Sequence, residues 1–357
     1  MRACARQGRP PGMPPVGTGR AACHHGEILQ GVFLDGRGRR RAGLVTLPMA
    51  ALGTRAEFVR RPDTADVTVV PADRVKALRA ATYALAECAT HRQEPLCGGE
   101  LRLTGDIPVG LGMGSSSSDV IAAVRAVADA FGTRLSPGAV ARIAVRAERA
   151  SDPLMLDGRP LLFAQREGRV LEDLGAALPP AVVVGCTLGG GRPVDTLALA
   201  APACDAYDAA DVRAYERLRA LLRRAVATAD PVLLGYVATE SARRGQGVLA
   251  HAEFGTLTDI AGRVGAVGVQ IAHSGNVAGL LFDATSPGLR ARLRRCRGAL
   301  DRAGIPATRT FPTTDDSRRE GAAPATHEEP PHGRAHRGSD RPPRPDTRGR
   351  RCRLPAL

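Results

Sequence analysis

The sequence is poor in aromatic residues: it contains no tryptophan, and aromatic residues make up 3% of its 357 positions. Hydrophobic residues make up 43%, so a core is possible, but it must consist mainly of alanine, valine and leucine. No run of about 18 uninterrupted apolar residues occurs, and a transmembrane helix is therefore not expected. The N-terminus also lacks the continuous apolar segment of a signal peptide. We therefore expect a cytoplasmic protein without a membrane partner.

Cysteine is infrequent as well, with eight residues, and no two of them have C-x-x-C spacing. Reduced thiols are the expected state in a cytoplasmic protein. The run Cys23-His24-His25 contains residue types that bind zinc. Adjacent side chains seldom point at one ion, and no second cluster of such residues lies nearby in the sequence. We therefore do not expect a zinc site here.

Lysine occurs once, at Lys76, while arginine accounts for nearly all of the 50 basic residues. The net charge of +14 would by itself suggest a nucleic-acid partner. The strong preference for arginine resembles a coding bias, and part of the excess lies in the terminal segments 1–22 and 312–357. The remaining charge is interpreted as spread along the chain without a basic helix stripe. We therefore expect no nucleic-acid partner.

The length allows two modest domains with a well-buried core. Residues 1–19 and 312–357 are rich in proline, glycine and arginine and are expected to be disordered. Between them, strand and helix patterns alternate up to residue 186, and a second pattern dominated by helices follows from 187 to 311. The predicted strands are 28–34, 44–47, 56–60, 67–70, 101–103, 180–186, 267–272, 280–282 and 307–311. Residues 35–38, Asp-Gly-Arg-Gly, predict a hairpin turn between the first two strands. The predicted helices are 73–91, 116–131, 137–150, 208–228, 231–244, 255–264 and 287–303. This order predicts an α+β protein with an N-terminal α/β domain over 20–186 and a C-terminal domain over 187–311.

A glycine-serine segment, Gly110 to Ser118, precedes the second predicted helix. Gly110, Gly112 and Gly114 alternate with apolar residues and allow the backbone to approach a ligand closely, because no Cβ is in the way. The serines that follow stand where a helix begins and where the first backbone N–H groups have no intrahelical partner. These donors and the positive end of the helix dipole form a site for an anion such as phosphate. An N-capped helix after a glycine turn is the alternative interpretation.

Two common nucleotide motifs do not fit this segment. No lysine follows the glycines, which excludes a Walker A loop. The spacing of the glycines also differs from G-x-G-x-x-G, the fingerprint of dinucleotide-binding proteins. Any nucleotide that binds here must do so through another kind of loop.

Two carboxylates follow the loop at a spacing that suits a shared site. Glu148 and Asp152 are four residues apart and would lie on one helix face if the helix continued. Taken alone, Glu148 in its polar surroundings is typical of a salt-bridging surface residue. Asp152 precedes Pro153 and is typical of a turn. Their joint position after a phosphate loop is what suggests chemistry.

The glycine-serine segment resembles the second motif of the GHMP kinases, which reads roughly Pro-x-x-x-Gly-Leu-Gly-Ser-Ser-Ala. Pro108 leads, Met113 replaces the leucine, Gly114, Ser115 and Ser116 match, and Ser117 replaces the alanine. The segment Gly26–Gly31 is similar to the first motif of the family's threonine-kinase branch, although the usual preceding proline is absent. Residues 272–279, with His273, Ser274 and Gly275, resemble the third motif.

The resemblance, which covers about residues 20–311, implies a two-domain GHMP kinase fold: an α/β phosphate-loop domain followed by a ferredoxin-like C-terminal domain. It implies ATP and Mg²⁺ as cofactors, a small-molecule alcohol as substrate, and allows a homodimer. The implied nucleotide-binding residues are Pro108, Gly110, Gly112, Gly114, Ser115, Ser116, Ser117, Ser274 and Gly275. Ser116 and Glu148 would bind the metal, and Asp152 would be the general base, with Asp157 as a competing candidate. The implied substrate residues are Glu27, Gln30, Asp195, Thr196 and His273.

The same resemblance implies transfer of the γ-phosphoryl group of ATP to an alcohol. The threonine-kinase branch points to the hydroxyl of L-threonine, in cobalamin biosynthesis. A kinase for another hydroxy amino acid or a secondary metabolite is the alternative within enzymes. A catalytically silent binding protein of the same fold is the alternative outside them.

Overall fold

A long antiparallel hairpin runs through the first half of the structure, a computed structural model that describes residues 16–156, 158–191, 204–272 and 275–314. Its strands are β1 (Val16–Leu34) and β2 (Arg40–Arg61), paired from Val16 opposite Val59 to Leu34 opposite Arg40. The hairpin predicted at residues 35–38 is confirmed. Both strands are longer than the short strands predicted from the apolar runs, because polar residues on the exposed face continue the pairing of β1 with β2.

Four shorter strands complete a six-stranded sheet around this hairpin. They are β3 (Val67–Val70), β4 (Gly98–Gly105), β5 (Leu161–Ala164) and β6 (Arg169–Asp173). The order is β3-β4-β2-β5-β6, and β1 pairs with β2. The sequence analysis missed β5 and β6. All four residues of β5 are buried, so the strand lacks the alternation of polar and apolar residues by which a half-buried strand is recognised.

Three helices cover this sheet: α1 (Val75–Arg92), α2 (Ser115–Ala130) and α3 (Pro137–Glu148). Alternate glycines of β1 allow α2 to lie directly on the strand. A Cβ at Gly17 would lie 2.1 Å from the carbonyl oxygen of Ala126, and one at Gly19 would lie 2.0 Å from that of Ala122. The chain is therefore ordered from Val16, within the segment 1–19 that its composition predicts to be disordered.

A second, four-stranded antiparallel sheet follows, with the order β10-β7-β9-β8. Its strands are β7 (Ala181–Thr187), β8 (Gly268–Ile271), β9 (Val277–Asp283) and β10 (Ala307–Pro312), and its helices are α4 (Ala209–Thr228), α5 (Pro231–Gly245), α6 (Phe254–Val264) and α7 (Leu289–Arg302). The predicted edge strand at 307–311 is confirmed. The hydroxyl of Thr313 donates to the carbonyl oxygen of Pro179 at 2.7 Å, so order extends beyond the predicted start of the tail.

The two sheets together give the predicted mixed α+β fold. The predicted domain boundary after residue 186 falls inside β7, whose strand partners among the described residues all belong to the second sheet. Leu29 and Phe33 of β1 are fully buried and share one apolar cluster with Tyr215 of α4 and Leu234 of α5. β1 therefore connects the first sheet to the helices of the second half, and its central residues lie where the two halves meet.

Two further features bear on the sequence analysis. Arginines Arg290, Arg294, Arg295 and Arg297 are exposed on α7, so the expectation of a charge spread without a basic helix is wrong for this element. Among the described residues, none of the helices combines the length and hydropathy needed to cross a bilayer.

Candidate active site

The glycine loop lies between β4 and α2 and adopts the backbone geometry that its composition predicts. Gly110, Gly112 and Gly114 have φ values of 79°, 84° and 71°, in the left-handed region that favours glycine. Gly114 is the N-cap of α2, and no side chain caps the helix. The first N–H groups of α2 therefore point towards the loop without intrahelical acceptors. This is the geometry of an anion site at a helix N-terminus.

The serines of α2 hold a carboxylate beside that helix end. The hydroxyl of Ser116 donates to Oε2 of Glu148 at 2.8 Å, and that of Ser117 donates to Oε1 at 3.0 Å. The hydroxyl of Ser118 donates instead to the carbonyl oxygen of Ala21 at 2.9 Å, a buried contact that fixes α2 on β1. Ser115 is the partly exposed first residue of the helix, and Pro108 is exposed at the entrance of the loop.

Asp152 joins the same cluster by a route that differs from the predicted one. α3 ends at Glu148, and Arg149 has a left-handed φ of 70°, so the helix does not continue to residue 150. The expectation that Glu148 and Asp152 share a helix face is therefore wrong. Instead, the backbone N–H of Asp152 donates to the hydroxyl oxygen of Ser117 at 3.2 Å, and this serine links the two carboxylates.

The two carboxylates have opposite electrostatic character. Burial raises the pKa of Glu148 to about 7, and the charge of Asp152 adds to the rise. Burial alone would also raise the pKa of Asp152, but the charge of His24, assisted by Ser117 and Lys76, lowers it below its ordinary value. Glu148 is thus a half-buried carboxylate whose ionised form a nearby cation would stabilise, whereas Asp152 is ionised.

The first motif brings His24 and Glu27 to Asp152. Gly26, with a φ of 70°, lies in a β-bulge where the register of β1 against β2 shifts on both sides of Glu27. The bulge places Nε2 of His24 3.0 Å from Oδ2 of Asp152, and Nδ1 of His24 3.9 Å from Oε1 of Glu27. Ligand atoms of these three residues lie within 4.8 Å of one another.

A small pocket adjoins Glu27. Its lining residues are Glu27, Gln30, Ser241, Ala242, Gly245, Gln246, Leu249, Ile271 and Ala272, and it encloses about 20 Å³. The backbone N–H of Gln30 donates to the hydroxyl of Ser241 at 3.0 Å. The side-chain oxygen of Gln30 is buried without a hydrogen-bond partner among the described residues. Both predicted substrate residues of the first motif therefore face one polar recess.

The third motif meets the glycine loop through backbone contacts. The N–H groups of Asn276 and Val277 donate to the carbonyl oxygen of Leu111 at 3.0 and 3.1 Å. A Cβ at Gly112 would lie 2.7 Å from the Cα of Gly275, so the two glycines are in direct contact. Five predicted or candidate site residues lie outside the described part of the chain: Asp157, Asp195, Thr196, His273 and Ser274.

Sequence reasoning missed two charged residues of the site. In the sequence, His24 suggests only a zinc ligand, but its two neighbours do not join it: the thiol of Cys23 donates to the carbonyl oxygen of Met49, and Nδ1 of His25 contacts Gln270 at 3.2 Å. Lys76 was considered only as absent from a Walker A loop, yet its charge lowers the pKa of both Glu148 and Asp152. A signal for Lys76 was available in its position at the start of the helix that precedes the loop.

The donor set beside α2 suits a hard divalent cation. The hydroxyl oxygen of Ser116 and the carboxylate of Glu148 are the oxygen ligands that Mg²⁺ prefers, with water and phosphate oxygens completing its coordination. The buried carboxylate, whose ionisation is opposed by burial and by Asp152, would be stabilised by such an ion. The residues present therefore fit Mg²⁺.

Comparison with known proteins supports the α+β fold described above. Residues 76–155 match the family model described as GHMP kinases N terminal domain. Homoserine kinase from Cytophaga hutchinsonii is similar over 86% of this chain and 97% of its own, with 15% identity and a TM-score of 0.62. Phosphomevalonate kinase from Streptococcus pneumoniae is similar over 84% of this chain and 99% of its own, with 9% identity and a TM-score of 0.62.

A third solved structure, mevalonate kinase from L. major with R-mevalonate bound, covers 84% of this chain and 94% of its own, with 16% identity and a TM-score of 0.53. No curated protein matches the sequence. At these identities the solved structures establish the fold alone. The matched segment contains nearly all of α1, the glycine loop, α2, Glu148 and Asp152. Residues 76–155 are thus similar to the GHMP kinases N terminal domain, and the chain has the fold of these solved kinases.

Proposed function

We propose that the protein is an ATP- and Mg²⁺-dependent kinase that transfers the γ-phosphoryl group to the hydroxyl of a small molecule. The observation that carries this proposal is the contact of Ser116 and Ser117 with Glu148 at the N-terminus of α2. This contact supports the proposal because it brings a carboxylate that could hold a metal ion beside a helix end suited to phosphate. Phosphoryl transfer needs this combination, because catalysis depends on positioning and on neutralising charge on the transferred group.

The nucleotide phosphates would lie against the glycine loop. The N–H groups at the start of α2 would donate to phosphate oxygens, and Gly112 against Gly275 would fix the loop from the opposite side. Mg²⁺ held by Ser116 and Glu148 would neutralise charge on the β- and γ-phosphates. The positive charge of Lys76 adds to this neutralisation.

Asp152 is the base in this proposal. Its carboxylate is ionised, and its backbone is bound to Ser117 of the phosphate site. As the acceptor hydroxyl oxygen forms its bond to the γ-phosphorus, its proton passes to Asp152, and the bond from the γ-phosphorus to the bridging oxygen of ADP breaks. Asp157, which lies outside the described residues, is the competing candidate.

For the acceptor, we infer a molecule with an amine and a hydroxyl on adjacent carbons from the relationship of Glu27 to Asp152, and L-threonine among these from the resemblance of the first motif to the threonine-kinase branch. A carboxylate oxygen of Glu27 lies within 4.8 Å of one of Asp152. Heteroatoms on adjacent carbons lie roughly 3–4 Å apart at bond lengths of about 1.5 Å. One acceptor could therefore present its hydroxyl to Asp152 and an ammonium group to Glu27. The Glu27–Gln30 recess offers acceptor oxygens and no basic side chain among its lining residues.

The test is ADP release with Mg-ATP across threonine, serine, homoserine, ethanolamine, mevalonate and galactose. Two analogues of threonine show which of its groups the enzyme recognises: 3-hydroxybutyrate, which lacks the amine, and 1-amino-2-propanol, which lacks the carboxylate. We expect turnover of threonine, weaker turnover of 1-amino-2-propanol, and none of 3-hydroxybutyrate. Glu27→Gln should raise KM for threonine by about tenfold or more, since a charged hydrogen bond contributes about 1.5–3 kcal/mol. Glu57→Gln, an exposed position of β2, is the matched control.

The remaining outcomes distinguish the alternatives. Selective turnover of another hydroxy amino acid or a secondary metabolite would keep the mechanism and change the substrate. Binding of ATP without turnover of any alcohol would favour a silent binding protein of this fold. Absence of ATP binding would overturn the proposal itself.

A further inference from the structure

His24 lies at the junction of three segments that the proposed function uses. It belongs to β1, its backbone N–H donates to the carbonyl oxygen of Met113 in the glycine loop at 3.3 Å, and its ring contacts Asp152. The residue is 2% exposed. The ring also lies against Gly114, where a Cβ would approach its Cδ2 to 2.5 Å. The backbone of His24 is thus bound to the phosphate loop, and its ring contacts the proposed base.

Both ring nitrogens of His24 face acceptors. Nδ1 lies 3.2 Å from the carbonyl oxygen of Gly26, and Nε2 lies 3.0 Å from Oδ2 of Asp152. A carbonyl oxygen and an ionised carboxylate can only accept, so each nitrogen must carry a proton to satisfy its neighbour. A neutral imidazole has a single N–H and would leave one of these contacts repulsive. The contact of Nε2 with Asp152 is a close ion pair and not an aligned hydrogen bond, and together with the Nδ1 contact it favours the imidazolium form.

The surrounding charges favour the same form. Burial alone would lower the pKa of His24, but the charges of Asp152 and Glu27 raise it to about 9. The neighbouring His25 behaves in the opposite way, because burial lowers its pKa to about 4 and its Nδ1 faces Gln270. His25 is neutral and cannot replace the charge of His24.

We propose that His24 is a positioning residue that stays an imidazolium and, through its contact with Oδ2, keeps Asp152 ionised and correctly aimed. This inference rests on the proposed function only in naming Asp152 as the base. With Oδ2 held by His24 and the backbone held by Ser117, Oδ1 of Asp152 is left for the acceptor hydroxyl. The imidazolium has no lone pair and takes no proton in the reaction; it stabilises the carboxylate until the hydroxyl proton arrives.

Other charged groups near His24 and Asp152 also raise or lower the pKa values in this cluster. Glu148, on α3, and Asp152 repel each other, and Lys76, on α1, favours ionisation of both. Glu27, on β1, supports the charge of His24. Removing the imidazolium thus leaves Asp152 buried beside Glu148, with Lys76 as its remaining cation among the groups named here. The pKa of Asp152 should then rise by about 1–3 units, the usual effect of an adjacent cation.

The experiment compares His24→Asn with the matched variant His25→Asn, a change to the adjacent buried histidine that does not contact Asp152. In His24→Asn we expect kcat at mildly acidic pH to fall by about tenfold or more, with KM for ATP changed little and the acidic limb of the kcat profile shifted upward by about 1–3 pH units. Activity should recover partly at alkaline pH. His25→Asn should keep the wild-type acidic limb. A loss of kcat in His24→Asn that is equal at every pH would overturn the proposal and indicate a structural role.

A second measurement does not depend on turnover or on stable variants of His24. The ring nitrogen NMR signals of His24 in the wild-type full chain should be those of an imidazolium at about pH 7.5, where an ordinary histidine is mostly neutral. In Asp152→Asn the same signals should become those of a neutral ring. A neutral His24 in the wild type would overturn the proposal. If the wild type shows the imidazolium signals but phosphorylates no alcohol, the proposed function fails while the state of His24 stands.

Discussion

Gly112 and Gly275 touch through their backbones, so that neither position has room for a side chain. A Cβ at Gly112 would lie 2.7 Å from the Cα of Gly275, and a Cβ at Gly275 would lie 2.3 Å from the Cα of Gly112. The first glycine belongs to the phosphate loop and the second begins the segment that leads into β9. This contact ties the second sheet to the loop at the point where the nucleotide phosphates are proposed to bind.

Gly275→Ala should therefore weaken ATP binding. The added methyl group would meet the backbone of the loop, and a backbone strain of about 1–3 kcal/mol corresponds to a loss of about 5- to 150-fold in affinity. Isothermal titration of the full chain with Mg-ATP measures the effect. Gly255→Ala is the matched control, since a Cβ there meets nothing within 4 Å. Equal affinities in the two variants would show that the loop does not depend on this contact.

The sequence was informative where function depends on local spacing. The glycines at 110, 112 and 114 and the serine pair at 116 and 117 lie close together in the chain, and their backbone geometry follows from residue type. Glu148 could be named through its order after the loop. The contact of His24 with Asp152 could not be predicted, because it depends on a β-bulge at Gly26 and on the packing of β1 against the turn after α3.

Two secondary-structure predictions were also wrong because the outcome depends on tertiary contacts. Gly17 and Gly19 suggest disorder by composition, but they permit the close approach of α2, which composition does not encode. The end of α3 depends on Arg149 in the left-handed region, an unusual conformation for a residue with a side chain. In both places tertiary packing overrides the local preference of the residue.

Asp152→Asn should lower kcat by about 100-fold or more with little change in KM for ATP. The amide cannot accept the hydroxyl proton, and a positioned base contributes about 10²–10⁴-fold. Initial rates at saturating ATP and acceptor measure the change. Asp157→Asn is the informative comparison, because a larger loss there would transfer the role of base to that residue.

Ser116→Ala should raise the Mg²⁺ concentration needed for half-maximal activity by several-fold or more. The change removes one proposed oxygen ligand and also the hydrogen bond that holds Oε2 of Glu148. A titration of activity with Mg²⁺ at fixed ATP measures this. Ser115→Ala, at the first position of the same helix, should keep the wild-type Mg²⁺ requirement even if its affinity for ATP changes, since the hydroxyl groups that contact Glu148 are those of Ser116 and Ser117. A wild-type metal requirement in Ser116→Ala would place the metal elsewhere.

Asp35 should stabilise the hairpin in a pH-dependent manner. The backbone N–H groups of Arg39 and Arg37 and the guanidinium groups of Arg39, Arg41 and Arg169 surround its carboxylate and hold its pKa well below the usual range. A pKa that is lower in the folded state stabilises the protein above the unfolded-state value of about 3.9, and this contribution disappears as the pH falls through the folded-state pKa. Asp35→Asn should therefore lower the melting temperature at neutral pH, and the difference from the wild type should shrink as the solution is acidified.

Thermal unfolding followed by circular dichroism from neutral to acidic pH measures the difference in melting temperature between Asp35→Asn and the wild type. Asp63→Asn, a change at an exposed residue between β2 and β3, is the control. A difference that stays constant down to acidic pH would mean that the side chain acts through its shape and hydrogen bonds and not through its charge.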